Sequence, residues 1–277
     1  MTTALHSLVN GVEQDHIALG DRGLQFGDGL FETLCVRAGQ ARYWERHMAR
    51  LRAGCARLEL PPPDEQRLHF EVGRLIRQQP HGVVKILLTR GTGGRGYSPP
   101  ADMEVNRIVR YLPRPVIPAE GLHLARCATS LGRNPRLAGI KHLNRLEQVL
   151  ASHELADLQA DEGLLADSEG MVIEGTRSNL FLVHQGELIT PDLSQCGVAG
   201  VLRSVVLDTC SAAGIACRIR EVTWSELEEA EELFMTNSLM GIQPVTRFAG
   251  RPQSVGERTR QLQQLLIQAP EGEGWHP

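Results

Sequence analysis

Two periods of apolar residues run along this chain. Leu30 to Val36 alternates like a strand, and Val83-Val84-Lys85-Ile86-Leu87-Leu88-Thr89 is a nearly continuous apolar run typical of a buried strand. Met48, Leu51, Cys55 and Leu58 recur at helical spacing within Trp44 to Leu60, which Pro61-Pro62-Pro63 ends. A second helix is predicted over Asp64 to Gln78, and Val105 to Tyr111 returns as a strand. Near the start, Ser7 to Asn10 and His16 to Leu19 read as short strands around a turn at Gly11. Between these and Leu30 the chain is rich in glycine, from Asp21 to Gly29.

Proline spacing in Leu112-Pro113-Arg114-Pro115-Val116-Ile117-Pro118-Ala119-Glu120 suits a stiff extended connector. The expected organisation is therefore a small N-terminal α/β domain over 1–113, a linker over 114–120 and a larger C-terminal domain over 121–277. Beyond the linker the pattern predicts a strand at Leu122 to Cys127 and a helix reaching about Gln159. Strands follow at Glu162 to Ala166, Met171 to Glu174, Asn179 to His184 and Glu187 to Thr190. Helices at Val201 to Ala213, Thr223 to Leu227 and Val255 to Gln268 are predicted, with strands at Ala216 to Arg220, Glu232 to Met235 and Val245 to Phe248. Strands and helices recur without a strict βαβ rhythm or an internal repeat, which favours a mixed α+β or barrel-like α/β architecture.

Composition narrows the class. The 277 residues are 42% hydrophobic and 22% charged with net charge -4, as in an ordinary globular protein, and nothing argues for a nucleic-acid or membrane partner. No run approaches the roughly 20 apolar residues of a membrane span, and the first residues lack a basic region followed by an apolar core. The six cysteines include no C-x-x-C pair and lie mostly in apolar segments, so they are read as reduced and internal. A cytoplasmic enzyme without a metal is expected.

The candidate chemistry starts at Lys141. In Gly139-Ile140-Lys141-His142-Leu143-Asn144-Arg145-Leu146, Asn144 is placed to cap a helix carrying Leu143, Leu146, Val149 and Leu150 on one face. That puts Lys141 just before a helix N-terminus, where the dipole favours a neutral, nucleophilic amine. A lysine that carries its charge into water is the plainer reading. The loop Arg90-Gly91-Thr92-Gly93-Gly94-Arg95-Gly96-Tyr97-Ser98-Pro99-Pro100 has the cations and hydroxyls to hold a carboxylate, or is an ordinary surface loop.

Downstream, Glu174-Gly175-Thr176-Arg177-Ser178-Asn179-Leu180-Phe181 is followed by Leu188-Ile189-Thr190 and by Val198-Ala199-Gly200-Val201-Leu202-Arg203. This string, with these gaps, resembles the signature of the class IV pyridoxal-phosphate enzymes. That family comprises branched-chain aminotransferases, D-amino acid aminotransferases and aminodeoxychorismate lyases. Three further segments, Gln25-Phe26-Gly27-Asp28-Gly29-Leu30-Phe31-Glu32-Thr33, Arg90-Gly91-Thr92 with Arg95-Gly96-Tyr97-Ser98, and Lys141 to Gln148, resemble the lyase branch. The resemblance runs from about Asn10 to Pro244.

It implies the family's fold, a homodimer, and pyridoxal 5'-phosphate as cofactor between the two domains. It further implies that Lys141 bonds the cofactor aldehyde and that Glu174 faces the pyridine nitrogen. The backbone of Val201 and Leu202, Arg46, Asn237 and Ser238 would hold the phosphate. Arg95, Tyr97 and Thr33 would meet the substrate, 4-amino-4-deoxychorismate, which is cleaved to 4-aminobenzoate and pyruvate on the way to folate. Lys141 would act as the base and Thr33 as a hydroxyl near the departing group. By the residues alone, Glu174 also reads as a strand-end acid, Arg46 as a surface residue, Asn237-Ser238 as a turn and Thr33 as a strand former. An aminotransferase of the same fold would share the cofactor residues, and a non-catalytic cofactor-binding protein is a third reading.

Overall fold

The structure, a computed structural model, describes residues 7–77, 79–99 and 101–268. Gln78 and Pro100, at the ends of a predicted helix and a predicted loop, lie outside the described residues, as does the amino-terminal hexapeptide. The chain forms two units. One runs to Pro115 and includes Ile140–Asn144; the other takes Val116–Gly139 and the chain from Arg145 onward.

The first unit contains β1 (Ser7–Val9), β2 (Val12–Glu13), α1 (Arg22–Phe26), β3 (Gly29–Arg37), β4 (Gln40–Ala41), α2 (Trp44–Arg57), α3 (Glu65–Ile76), β5 (Gly82–Thr89) and β6 (Asn106–Leu112). Its sheet has the order β2-β1-β6-β5-β3-β4, antiparallel throughout. Residues directly opposite one another share a face, so register assigns the sides. Leu30, Leu34 and Val36 lie with Val84, Ile86, Leu88 and Val109 on one face, all buried. Met48, Leu51 and Cys55 of α2 and Leu68, Val72 and Ile76 of α3 supply the other half of that core. The opposite face carries Phe31, Thr33 and Arg37 on β3, Lys85 on β5 and Arg110 on β6.

The second unit contains β7 (Leu122–Arg126), α4 (Leu146–Leu158), β8 (Glu162–Ala166), β9 (Val172–Gly175), β10 (Asn179–His184) and β11 (Glu187–Pro191). After these come α5 (Val201–Ala212), β12 (Cys217–Arg220), α6 (Trp224–Glu228), β13 (Glu232–Asn237), β14 (Gly241–Phe248), β15 (Arg251–Pro252) and α7 (Glu257–Gln268). The strand order is β12-β11-β10-β13-β14-β7-β8-β9, with β15 beside β14. Strands β9 and β10 stand far apart in that order, yet only Thr176, Arg177 and Ser178 join them. The sheet must therefore curl until its β9 end returns to β10, which makes it barrel-like. Leu164, Val172, Leu180, Leu182, Ile189, Leu233 and Met235 belong to its apolar core. Phe181 and Phe234, opposite one another on β10 and β13, stack at 4.9 Å.

The mixed α/β architecture expected from the sequence is the one observed, with local differences. Residues 16–19 are not a strand, because Asn10 and Gly11, both at positive φ, close a tight hairpin that pairs Val9 with Val12. Part of the glycine-rich stretch is the short helix α1, where Asp21 accepts hydrogen bonds from the amides of Gly23 and Leu24 and Gly27 ends it in the left-handed region. Helix α4 begins at Leu146, and its N-cap Arg145 makes no side-chain capping bond. Asn144 does not cap it, since its amide donates to the Gly27 carbonyl at 3.1 Å. Leu146, Val149 and Leu150 are exposed, and α4 buries Gln148 and Ala151 instead. Five cysteines are buried, and Cys217 is half-buried.

Candidate functional site

Lys141 is positioned by strand pairing rather than by a helix. The Phe31 amide donates to the Lys141 carbonyl at 2.9 Å, the Leu143 amide donates to the Gly29 carbonyl at 3.0 Å, and Leu30 pairs with His142. Residues 141–143 thus line the edge of β3 not occupied by β5. Lys141 lies several residues before α4, beyond the reach of a dipole effect confined to the first turn, so, contrary to the expectation from sequence, the helix dipole does not act on its amine. The Lys141 Nζ sits 4.4 Å from the Phe31 ring centroid, and the Lys85 Nζ sits 5.0 Å from the same ring. The chain's two lysines therefore both lie against one aromatic ring, a cation–π arrangement. Lys85 is opposite Thr33 in the β3–β5 register. Burial, then the Arg110 charge, lowers its ammonium pKa. Lys85 was not among the residues the sequence singled out as a site.

Behind β3 is a charged network that sequence reasoning also missed. Glu32 lies on the apolar face, where its carboxylate contacts His47 Nδ1 at 2.6 Å and accepts from Arg50 Nε at 2.8 Å and Nη2 at 2.5 Å. Burial opposes the Glu32 charge, but the Arg50 guanidinium and His47 outweigh it and bring its pKa to about 2. Burial lowers His47 in turn; Glu32 raises it, while Arg50 and Lys141 oppose a further charge. The consistent assignment is an ionised Glu32, a cationic Arg50 and a neutral His47 donating from Nδ1. Two local signals mark the network. A glutamate interrupts the inward positions Leu30, Leu34 and Val36, and His47 and Arg50 are three residues apart on one helix. Arg46 lies on the same helix and is half-buried. Arg95 and Tyr97 are exposed in the loop after β5, and Thr33 is half-buried on β3.

In the second unit Glu174 is 4% exposed at the end of β9. Its Oε2 accepts from the Val198 amide at 2.8 Å and from the Asn179 side-chain amide at 3.4 Å. Asn179 also donates to the Val198 carbonyl at 2.9 Å, so β10 and the segment entering α5 are joined at this carboxylate. Gly200 is the N-cap of α5 and has no side chain with which to cap it. A Cβ there would lie 1.9 Å from Asn179 Oδ1, so the close approach requires glycine. Thr236, opposite Asn179 in the β10–β13 register, and Ser178 have buried hydroxyls without a hydrogen-bond partner among the described residues. Asn237 is occupied with its own turn: its Oδ1 accepts from the amides of Leu239 and Met240, and its Nδ2 donates to the Arg177 carbonyl. Ser238 follows it and is half-buried. An uncapped helix N-terminus beside two buried hydroxyls is a donor set suited to a phosphate dianion. The sequence pointed to Val201, Leu202, Asn237 and Ser238 here, but not to Ser178 or Thr236.

Among the described residues no helix is long and apolar enough to cross a membrane, and no cluster of three or more His, Cys, Asp or Glu could hold a metal ion.

With a lysine on the β3 edge and an oriented carboxylate near the N-terminus of α5, the donor types that pyridoxal phosphate requires are present. The chain belongs to the class IV aminotransferase family, described as amino-transferase class IV, which matches residues 29–248. It is 37% identical to an aminodeoxychorismate lyase of Vibrio harveyi, over 92% of this chain and 97% of that one. Among solved structures it is similar to the 4-amino-4-deoxychorismate lyase of Pseudomonas aeruginosa, at 46% identity and a TM-score of 0.89. That match covers 94% of this chain and 98% of the other. The branched-chain amino acid aminotransferase of Escherichia coli shares the fold at a TM-score of 0.86 and 23% identity, over 99% of this chain and 96% of its own.

Proposed function

We propose that the protein is a pyridoxal-phosphate-dependent lyase that cleaves 4-amino-4-deoxychorismate to 4-aminobenzoate and pyruvate, a step towards folate. The observation that carries this reading is the 46% identity to a lyase of known structure over nearly the full length of both chains. When bound, pyridoxal phosphate supplies a ring that accepts the electron pair left by proton removal.

The chain's own residues supply the rest. Lys141 would hold the cofactor through its side-chain amine. The same amine is the base that takes the proton from the substrate carbon bearing nitrogen. The bond between the substrate ring and the ether oxygen breaks, and the enolpyruvyl group leaves and is protonated to pyruvate. The remaining ring becomes aromatic, which makes reversal difficult. Glu174 would meet the pyridine nitrogen as a carboxylate and favour its protonated form. The first-turn amides of Val201 and Leu202 would hold the phosphate, with Asn237 and Ser238 in the neighbouring turn.

Helix α2 supplies the phosphate cation. The resemblance assigns Arg46; Arg50, four residues further along the same helix, is a second candidate. Excess pyridoxal phosphate should restore the variant that lost the true phosphate contact, so titrating Arg46→Ala and Arg50→Ala side by side separates them. Arg95 and Tyr97 bind substrate carboxylates, and Thr33 donates a hydroxyl near the departing group. Lys85, opposite Thr33, adds a second cation to that face. The enzyme works as a homodimer in the cytoplasm.

Incubating the purified protein with 4-amino-4-deoxychorismate and following 4-aminobenzoate tests the reading directly. Appearance of 4-aminobenzoate supports it. A protein that instead passes an amino group from an amino acid to 2-oxoglutarate and forms no 4-aminobenzoate is an aminotransferase. Borohydride reduction should fix the cofactor to Lys141, and an adduct on Lys85 would reassign the central residue. Thr33→Ala should slow product formation while cofactor is retained.

A further inference from the structure

The loop that carries Arg95 and Tyr97 is held by a pair of struts meeting at one carboxylate. Arg22, on α1, is 2% exposed. Its Nε donates to Asp28 Oδ2 at 2.9 Å, its Nη1 to the Gly96 carbonyl at 3.0 Å and its Nη2 to the Tyr97 carbonyl at 2.5 Å. Arg90 mirrors this arrangement. Its Nε donates to the same Asp28 oxygen at 2.8 Å, while its Nη1 and Nη2 donate to the carbonyls of Glu59 and Leu58, just past α2. The Phe26 ring meets the Tyr97 ring edge-on at 5.5 Å, and the Arg22 guanidinium lies 4.8 Å from the Phe26 centroid. The loop base is fixed separately by the Arg22 amide, which donates to the Gly91 carbonyl at 2.8 Å.

We propose that Arg22 is a positioning residue for substrate binding, fixing the Arg95–Tyr97 tip through the Gly96 and Tyr97 carbonyls while Asp28 aims its guanidinium. The proposal rests on the reading of Arg95 and Tyr97 as substrate contacts. A rigid planar fork with three committed donors can hold two successive carbonyls in one orientation; a lysine ammonium, a single point charge, cannot. The tip needs such a hold, because Gly93, Gly94 and Gly96 all stand at positive φ and the side chains of Arg95 and Tyr97 are exposed. Asp28 makes burial of the guanidinium tolerable. Two arginines keep its carboxyl below the usual range against the opposing effect of burial, so the joint stays ionised at neutral pH. Arg22 does not itself touch the reacting atoms in this scheme; its effect passes through the loop.

The test compares Arg22→Lys, Arg95→Ala, Tyr97→Phe and the Arg22→Lys/Arg95→Ala double variant as holoenzymes. Arg22→Lys is expected to raise KM for 4-amino-4-deoxychorismate roughly tenfold, the scale of a misplaced binding group, with kcat and the cofactor's absorbance band little changed. The double variant should have a KM no higher than Arg95→Ala alone, since Arg22 acts through that residue. In the cofactor-free protein, the amides of 96–98 should exchange hydrogen faster in Arg22→Lys than in wild type. Asp28→Asn keeps the joint's shape but not its charge and should raise KM in the same direction, so it serves if Arg22→Lys does not fold. A wild-type KM in both Arg22→Lys and Asp28→Asn, or KM effects that multiply in the double variant, overturns the proposal. A rise in KM accompanied by lost cofactor affinity and a lowered Tm would make Arg22 a general structural staple and overturn it as well. If Arg95→Ala and Tyr97→Phe both keep a wild-type KM, the substrate reading itself fails whatever Arg22 does.

Discussion

Glu174 and Glu32 are both buried carboxylates, but their surroundings assign them different work. Glu174 receives two donors on one oxygen, the Val198 amide and the Asn179 side chain, which fixes the orientation of its carboxylate. Glu174→Gln should retain most of the cofactor yet lower turnover roughly a hundredfold or more, the cost of removing one preorganised electrostatic partner. Absorbance titration with pyridoxal phosphate and steady-state assay separate the two effects, and near-normal turnover would remove Glu174 from the role. Glu32 is instead bound to His47 and Arg50, and this makes the fold acid-sensitive. Folding depresses the His47 pKa below its ordinary 6.5, so its stabilising contribution is present above that pH and declines as pH falls through the range below it. Glu32 is drawn from 4.5 to about 2, so its contribution is present above 4.5 and is lost as pH falls towards 2. Denaturant unfolding across pH should show both slopes. His47→Asn keeps a donor for Glu32 without the titration and should reduce the slope just below pH 6.5 by up to roughly 1.4 kcal/mol per pH unit. Glu32→Gln, which removes the carboxylate that faces Arg50 and His47, should lower stability at neutral pH.

At the scale of elements, what could be read from the sequence was whatever local periodicity decides. Helices α2, α3, α5 and α7 and the strands β5, β6, β8 and β10 follow directly from apolar spacing and its breaks. Contacts between distant residues were not legible. Asn144 looks like a helix cap, but Gly27, more than a hundred residues earlier, takes its amide. The Lys141 segment looks like a helix entry, but the free edge of β3 takes it as a strand partner. Residue types in the candidate site were recognisable because Glu174 and Gly200 sit in a spaced signature and Lys141 in a further segment with a family resemblance. Lys85, Glu32, Ser178 and Thr236 were not, since each becomes conspicuous only when sheet register places it. Gly200 joins the two levels. Adding a Cβ would drive it into Asn179, shifting both the α5 N-terminus and a ligand of Glu174. Gly200→Ala is therefore expected to weaken pyridoxal-phosphate affinity roughly tenfold or more, with excess cofactor restoring part of the activity. Equal cofactor affinity in wild type and variant would show that α5 does not hold the phosphate.

For the molecule as a whole, net charge and local charge point in opposite directions. The chain carries a formal charge of -4, which on its own repels an anionic substrate. The face of the six-stranded sheet opposite its apolar core differs: Arg37, Lys85 and Arg110 stand on it, Lys141 lies against Phe31, and the β3, β5 and β6 positions that share it include no aspartate or glutamate. The one acidic residue of those three strands, Glu32, faces the other way, towards α2. A substrate with two carboxylates should thus be drawn to one face of a protein that is anionic overall. The attraction acts at a distance, so salt should weaken it. The Debye length shrinks from about 30 Å at 0.01 M to about 8 Å at 0.15 M, and kcat/KM should fall over that range more than kcat does. Arg110 is exposed and lies opposite Lys85, which makes it the residue with which to test the effect without disturbing the core. Arg110→Ala is expected to lower kcat/KM at low salt and to flatten its dependence on ionic strength, leaving kcat and cofactor content near wild type. Parallel salt curves for the variant and the wild type would show that this face does not steer the substrate, and that recognition begins only on contact.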